Sequence, residues 1–301
     1  MPDGRGDGLP DKALTEQYLA DSPLSLGLAL ESSRQAADVS EGHRRYLDRL
    51  RRRQRLVSLA RLVILVLFLT WWEVAARAQW INPFIFSYPT QVIEVVVRMG
   101  ADGSLWRHIA WTISETAIGF TAGTFLGTLI AIALWWSGTF ARILDPYLVV
   151  LNSIPKVALG PIFIVWLGTR MPAIVAMALA ISVIVTVMMV FTGFQEVDPD
   201  KIKLLRTFGA TRGQILWKVV LPASVPTIVA ALKVSVGQSL VGVIMGEFLV
   251  SQAGLGYLIV YGGQMWKMSL IMASLAVLCL MSMGLYYGVS WLERRFLGWR
   301  G

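Results

Sequence analysis

Polar side chains stand inside long apolar stretches of this chain, and they are the first residues with chemistry to offer: Glu115, Asn152, Ser153, Lys156, Lys233, Ser235, Gln238, Ser239 and Glu247. An ionisable or strongly polar group surrounded by apolar residues is costly, so it marks either a functional path or a structural partnership. Ser235, Gln238 and Ser239 fall at i, i+3 and i+4, one face of a helix, which suits the wall of a polar pathway or hydrogen bonds to a neighbouring helix. Asn152 and Ser153 precede Pro155, and with Glu247 they complete the set of candidate pathway residues. Lys156 and Lys233 fit span ends, where a long side chain carries its charge out to the interface. Other chemistries lack their parts. A serine–histidine device or a haem site needs histidine at membrane depth, and the two histidines are His43 in the polar N-terminal part and His108 at the edge of an apolar segment. The single cysteine, Cys279, excludes an intramolecular disulfide framework and a cysteine metal site. No G-x-x-x-x-G-K-[ST] phosphate loop occurs, so no ATP site is expected in this chain.

A second candidate region is the connection Glu196–Thr227 (EVDPDKIKLLRTFGATRGQILWKVVLPASVPT). Asp198 or Pro199 opens a helical stretch, Gly209 breaks it, and a second helix is expected from Thr211 to a stop before Pro222. Helix, glycine turn and helix make either a compact knob that another protein can hold or a plain amphipathic connector. Arg206, Arg212 and Lys218 give the loop a basic character that suits acidic groups on a partner.

The elements that position these residues are membrane spans. Apolar residues are 55% of the 301 and charged residues 15%, with a mean hydropathy of +0.61, a balance that excludes a secreted scaffold, a zinc module and a disordered protein. A bilayer core of about 30 Å needs roughly 20 helical residues. No charge occurs between Glu115 and Arg142, between Arg170 and Glu196, or between Lys267 and Glu293. Those intervals, with Leu62–Ala76 extended back through Leu56, Pro146–Leu167 and Pro222–Val250, give six expected spans. Between them, Val92, Val95, Val96 and Met99 share a face of an interfacial helix, and Ser251–Trp266 is too apolar for a free loop and too short to cross twice, so a short re-entrant or interfacial helix is expected. The net charge of +8 is explained by position. With both termini in the cytoplasm, the arginine cluster Arg44–Arg61, the 196–222 loop and the C-terminal arginines lie inside, while only Arg77, Arg98, Arg107, Arg170 and Lys267 lie outside. This reads as topology and attraction to lipid, not as nucleic-acid binding. Residues 1–55 are expected to be a polar, arginine-rich cytoplasmic tail without a cleaved signal peptide, with an amphipathic surface helix over Ser40–Arg61, and residues 56–301 the six-helix domain.

Lys203-Leu204-Leu205, Gly209-Ala210 and Val219-Val220-Leu221-Pro222 resemble the EAA coupling loop of bacterial ABC-importer permeases. LDPYLVVLNSIPKVALGPIFIVWLG (Leu144–Gly168) and GEFLVSQAGLGYLI (Gly246–Ile259) are similar to the nitrate/sulfonate/taurine branch of that family, and the likeness extends over nearly all of Trp106–Leu297. Lys203-Leu204-Leu205 stands where the family often has Glu-Ala-Ala, so a motif glutamate has no counterpart here. The resemblance implies an all-α inner-membrane permease of the type I importer (MetI-like) fold, multi-pass in the bacterial inner membrane, with Lys203, Arg206, Gly209, Ala210, Thr211, Arg212, Leu221 and Pro222 at the contact with a cytoplasmic ATPase. It further implies ATP and Mg on that ATPase rather than on this chain, a second permease copy, most simply an identical one, and a periplasmic solute-binding protein. The solutes it implies are small anions such as sulfonates, taurine or nitrate, with aromatic or pyrimidine-type compounds as the alternative. A self-sufficient secondary transporter would show two repeated halves, which this sequence does not.

Overall fold

The computed structural model describes residues 52–53 and 56–297, so the polar tail and most of the expected surface helix lie outside the described residues. Helix α1, Leu56–Arg77, passes from one compact unit, which ends at Trp71, into a second that begins at Trp72. Everything below concerns the second unit. There follow α2 (Pro83–Phe86), α3 (Pro89–Ala101), α4 (Ser104–Trp136), α5 (Gly138–Ser153), a 3-10 turn (Lys156–Leu159), α6 (Gly160–Leu167), α7 (Met171–Gln195), α8 (Pro199–Thr207), α9 (Arg212–Ile215), a π-helical turn (Leu216–Val220), α10 (Leu221–Val250), α11 (Leu255–Gln264) and α12 (Met268–Leu297).

Among the described residues five helices are long and apolar enough to cross a bilayer, and the sixth expected span is a bent pair. The segment Pro146–Leu167 is not one rod. Pro155 holds Ile154 in an extended conformation, which ends α5, and the chain resumes after the 3-10 turn at an angle of 91°. A second expectation also changes. The helix begun at Arg212 does not stop before Pro222 but continues unbroken to Val250. Pro222 has no N–H to give and would crowd the carbonyl four residues back. The chain widens by one residue there, and Leu221 N–H reaches the carbonyl of Leu216, so the helix carries the proline through a π turn.

Helix α7 lies between α4 and α10, and small residues make this possible. Between membrane helices, close backbone approach replaces the hydrophobic drive that water supplies elsewhere. On α4, Gly119, Gly123 and Gly127 recur every four residues and face Ala178, Ser182 and Thr186 of α7. A methyl group at Gly119 would sit 2.6 Å from Ala178 Cβ, and one at Gly242 of α10 would sit 2.5 Å from Ala178 Cα. Both gaps are closed to any larger residue. At one end of this layer Phe194, Val190, Ala131, Ala231, Ile215, Leu216 and Val220 form a buried cluster that seats α9 and the π turn on α4, α7 and α10. At the other end Leu105, Leu240, Leu255 and Leu258 hold α11 against α4, α10 and α12, and Val92 and Val95 of α3 are buried on the face the sequence predicts.

Candidate functional site

The α7–α10 connection is built as a rigid knob. Asp198 accepts the amide of Asp200 at 2.9 Å and Pro199, which has no N–H to satisfy, opens α8, so two of the first-turn positions are accounted for. Its end is a Schellman turn. Gly209 takes φ +75°, its N–H donates to Arg206 O at 3.0 Å, and Ala210 N–H donates to Leu205 O at 3.0 Å. Thr211 then caps α9 reciprocally with Gln214: the Gln214 side chain accepts from Thr211 N–H at 2.8 Å and the Thr211 hydroxyl from Gln214 N–H at 3.4 Å. Leu205, Ala210 and Leu221 pack against the buried cluster beneath, and Pro222 follows in the first turn of α10.

The basic residues of the loop divide. Lys203 pairs with Asp200 at 3.0 Å on an exposed face, an interaction worth little by itself. Arg206 and Lys218 are exposed. Arg212, also exposed, donates to the carbonyl of Trp136 at 2.9 Å and caps the end of α4. What the loop offers outward is largely apolar. Phe208 is 78% exposed, Trp217 72% and Leu204 57%, three large side chains on one short connection. The sequence signal for them was present as apolar residues off the buried face of a basic loop, yet only the folded turn shows that they are left uncovered.

The residues considered for a pathway do not share one surface. Asn152 and Ser153 are exposed at the end of α5, where Lys156 Nζ donates to Asn152 O at 3.1 Å. Ser235 and Ser239 are buried. Ser235 shares a hydrogen bond with Thr186 across the α7–α10 contact at 2.7 Å, while the Ser239 hydroxyl is buried without one, and Gln238 is half-buried. Lys233 forms an ion pair of 2.5 Å with Glu293, joining α10 to α12.

Glu247, buried near the far end of α10, organises the turn that follows it. Its carboxylate accepts from Thr112 Oγ1 at 2.7 Å and from Gly256 N–H at 2.5 Å. The Thr112 oxygen also accepts Leu255 N–H at 2.9 Å, and His108 Nδ1 accepts Gly254 N–H at 3.0 Å. Three consecutive amides at the start of α11 are thus held by side chains of α4 and α10. Gly254 has φ +108°, and a methyl at Gly256 would lie 2.7 Å from Glu247 Oε2. Neither position admits a side chain. Glu115 is fully buried beside Trp111 and Glu247, with no hydrogen bond of normal geometry to either carboxyl oxygen.

Comparisons with known proteins agree with this architecture. The chain matches the model of the binding-protein-dependent transport system inner membrane component family over residues 123–297, more than half its length. It is 29% identical over 253 residues to the taurine transport system permease protein of Escherichia coli (strain K12), covering 82% of this chain and 91% of that one. It is 26% identical over 186 residues to the formylaminopyrimidine transport permease protein of Halalkalibacterium halodurans, covering 62% and 74%. Among solved structures, a chain of the inward-facing MetNI methionine ABC transporter superposes with a TM-score of 0.58 at 21% identity, over 64% of this chain and 95% of that one. At that identity the likeness is one of fold. Up to six apolar spans among the described residues, an α8–Gly209–α9 knob set on the helix layer and a family match that covers the knob and the helices from the middle of α4 onward make the protein a multi-pass inner-membrane permease of the ABC importer type, a member of the binding-protein-dependent transport system inner membrane component family.

Proposed function

We propose that this permease moves a small organic or inorganic anion of the sulfonate, taurine or nitrate kind inward, working as a pair with a second copy of itself. A separate ATPase drives the pair, and a binding protein on the outer face delivers the solute. The observation that carries the reading is the knob. Its two capped helices are rigid, it presents Leu204, Phe208 and Trp217 outward, and it runs without a break into α10. A force applied to such a knob is passed to the span rather than absorbed by a hinge. The residues at that contact are Lys203, Arg206, Gly209, Ala210 and Thr211, with Arg212, Leu221 and Pro222 holding the knob to its base. ATP and Mg bind the partner, since this sequence has no phosphate loop.

A second reading of the solute, an aromatic or pyrimidine-type compound, is favoured by the similarity to a formylaminopyrimidine permease. The test is a thermal-shift screen of the cognate binding protein against taurine, alkyl sulfonates, nitrate and pyrimidines, followed by ATP-driven uptake of the hit in proteoliposomes. A shift with a sulfonate or nitrate supports the first solute class; a shift confined to pyrimidines or aromatic acids replaces it with the second.

A further inference from the structure

Few cations lie on the side of the molecule away from the knob, and most of those have a local partner. Arg77 pairs with Glu73 at 2.6 Å, Arg98 lies near Asp102, and Lys267 stands over the Tyr261 ring. Arg107 and Arg170 remain. Among the described residues neither forms an ion pair, although one sits on α4 and the other at the start of α7, and both line the same cavity of about 380 Å³. Trp111 lies one turn beyond Arg107 and contributes an indole wall, 44% exposed. Thr169, Ser251 and Gln252 add hydroxyl and amide groups to the rim.

Two arginines that line one concavity without an ion pair leave two positive charges there uncompensated, and in a membrane protein the charge bias works against placing them on this side at all. An anion held in the concavity compensates both charges. Guanidinium forks match the planar or tetrahedral oxygens of carboxylate, sulfonate and phosphate, with two parallel N–H···O bonds each. The first turn of the 25-residue helix α7 borders the cavity through Met171 and Pro172 and adds the positive end of its dipole. Trp111 and Met171 offer an apolar surface to whatever organic body carries the charge.

From this arrangement we infer that Arg107 and Arg170 form an oxyanion-binding vestibule at the outer end of α4 and α7, which takes a sulfonate, carboxylate or phosphate group and seats its organic part on Trp111. The inference deepens the proposed function and rests on it for the sidedness of the cavity. It gives this chain, and not only a binding protein, a part in recognising anions. The same chemistry has two sources, a soluble anion on its way to the path or the phosphate of an anionic lipid, and the test keeps them apart.

The full chain, purified into phosphatidylcholine nanodiscs, is dialysed to equilibrium against radiolabelled methanesulfonate. In parallel it is placed in discs containing phosphatidylglycerol, and retained lipid is counted by native mass spectrometry. Wild type binds in at least one arm, and Arg107→Gln/Arg170→Gln weakens that binding about tenfold or more, the size expected for lost charged hydrogen bonds. Arg107→Lys/Arg170→Lys, which keeps the charge and loses the forks, binds more weakly than wild type and more tightly than the glutamine variant, and added salt weakens the binding. Loss in the dialysis arm assigns the site to a soluble anion, and loss in the lipid arm to a headgroup. Absence of binding by wild type in both arms, or equal binding by the double glutamine variant, overturns the inference. Both side chains are exposed, so the variants are expected to fold, and unchanged melting confirms it. Neither readout needs the ATPase or uptake, so the result stands apart from that of the transport reading.

Discussion

Thr112 shows how much one hydroxyl can hold. It donates to the Glu247 carboxylate and accepts from Leu255 N–H, two buried groups that have few other choices. Thr112→Val keeps the shape and removes both bonds, leaving an unsatisfied donor and a carboxylate short of one partner. The expected cost is on the order of 2 kcal/mol or more, read as a lower melting temperature of the purified protein, with Thr112→Ser close to wild type. If valine melts like wild type, the network does not hold the start of α11. The sequence marked Glu247 as an acidic residue inside an apolar stretch and set it among the candidate pathway residues. It did not show Thr112 or His108, because the groups they hold at the start of α11 lie more than 130 positions away and include the amides of Leu255 and Gly254, and a backbone amide carries no residue-type signal.

At the scale of the elements, the layer α4–α7–α10 depends on missing side chains. Gly119→Leu and Gly242→Leu each place a branched side chain where α7 backbone or Cβ already stands, so the helices must part. Either variant is expected to lose the monodisperse peak of the detergent-extracted protein in size-exclusion chromatography. Gly284→Leu on α12, where nothing lies within 4 Å of an added Cβ, is expected to keep it. Equal behaviour of all three would mean that the close approach is not what joins the layer. The apolar intervals made the helices legible, and Gly209, Asp198 and Pro199 made the knob legible, since capping and turn residues act locally. Two element boundaries were not. The 91° bend at Pro155 lies in a segment whose composition reads as one span. Pro222, usually a stop, is carried inside a continuous helix by a π turn that no residue type announces. Both depend on how the neighbours pack.

For the whole molecule, charge position predicts sidedness. Cys279 is the only cysteine, so Cys279→Ser gives a clean background for labelling. Lys203→Cys, on exposed α8, should react with a membrane-impermeant maleimide only from the cytoplasmic side, and Gln252→Cys, on the exposed turn after α10, only from the outer side. Labelling of both from one side would refute the topology. Most of the arginine cluster of the tail lies outside the described residues, and the bias among the remaining Lys and Arg points to the same orientation.

The central claim is that the knob around Gly209 transmits work from an ATPase to α10. Gly209 sits at φ +75° with open space around it, so Gly209→Arg adds bulk and charge at the turn while leaving the packed layer intact; the left-handed conformation itself costs an arginine only about 1–2 kcal/mol. The decisive measurement is ATP-driven uptake by proteoliposomes holding the permease and its ATPase, wild type against Gly209→Arg. The account predicts that the variant inserts and folds normally but loses uptake and no longer retains the ATPase through purification. Uptake at the wild-type rate with the ATPase still bound would contradict it.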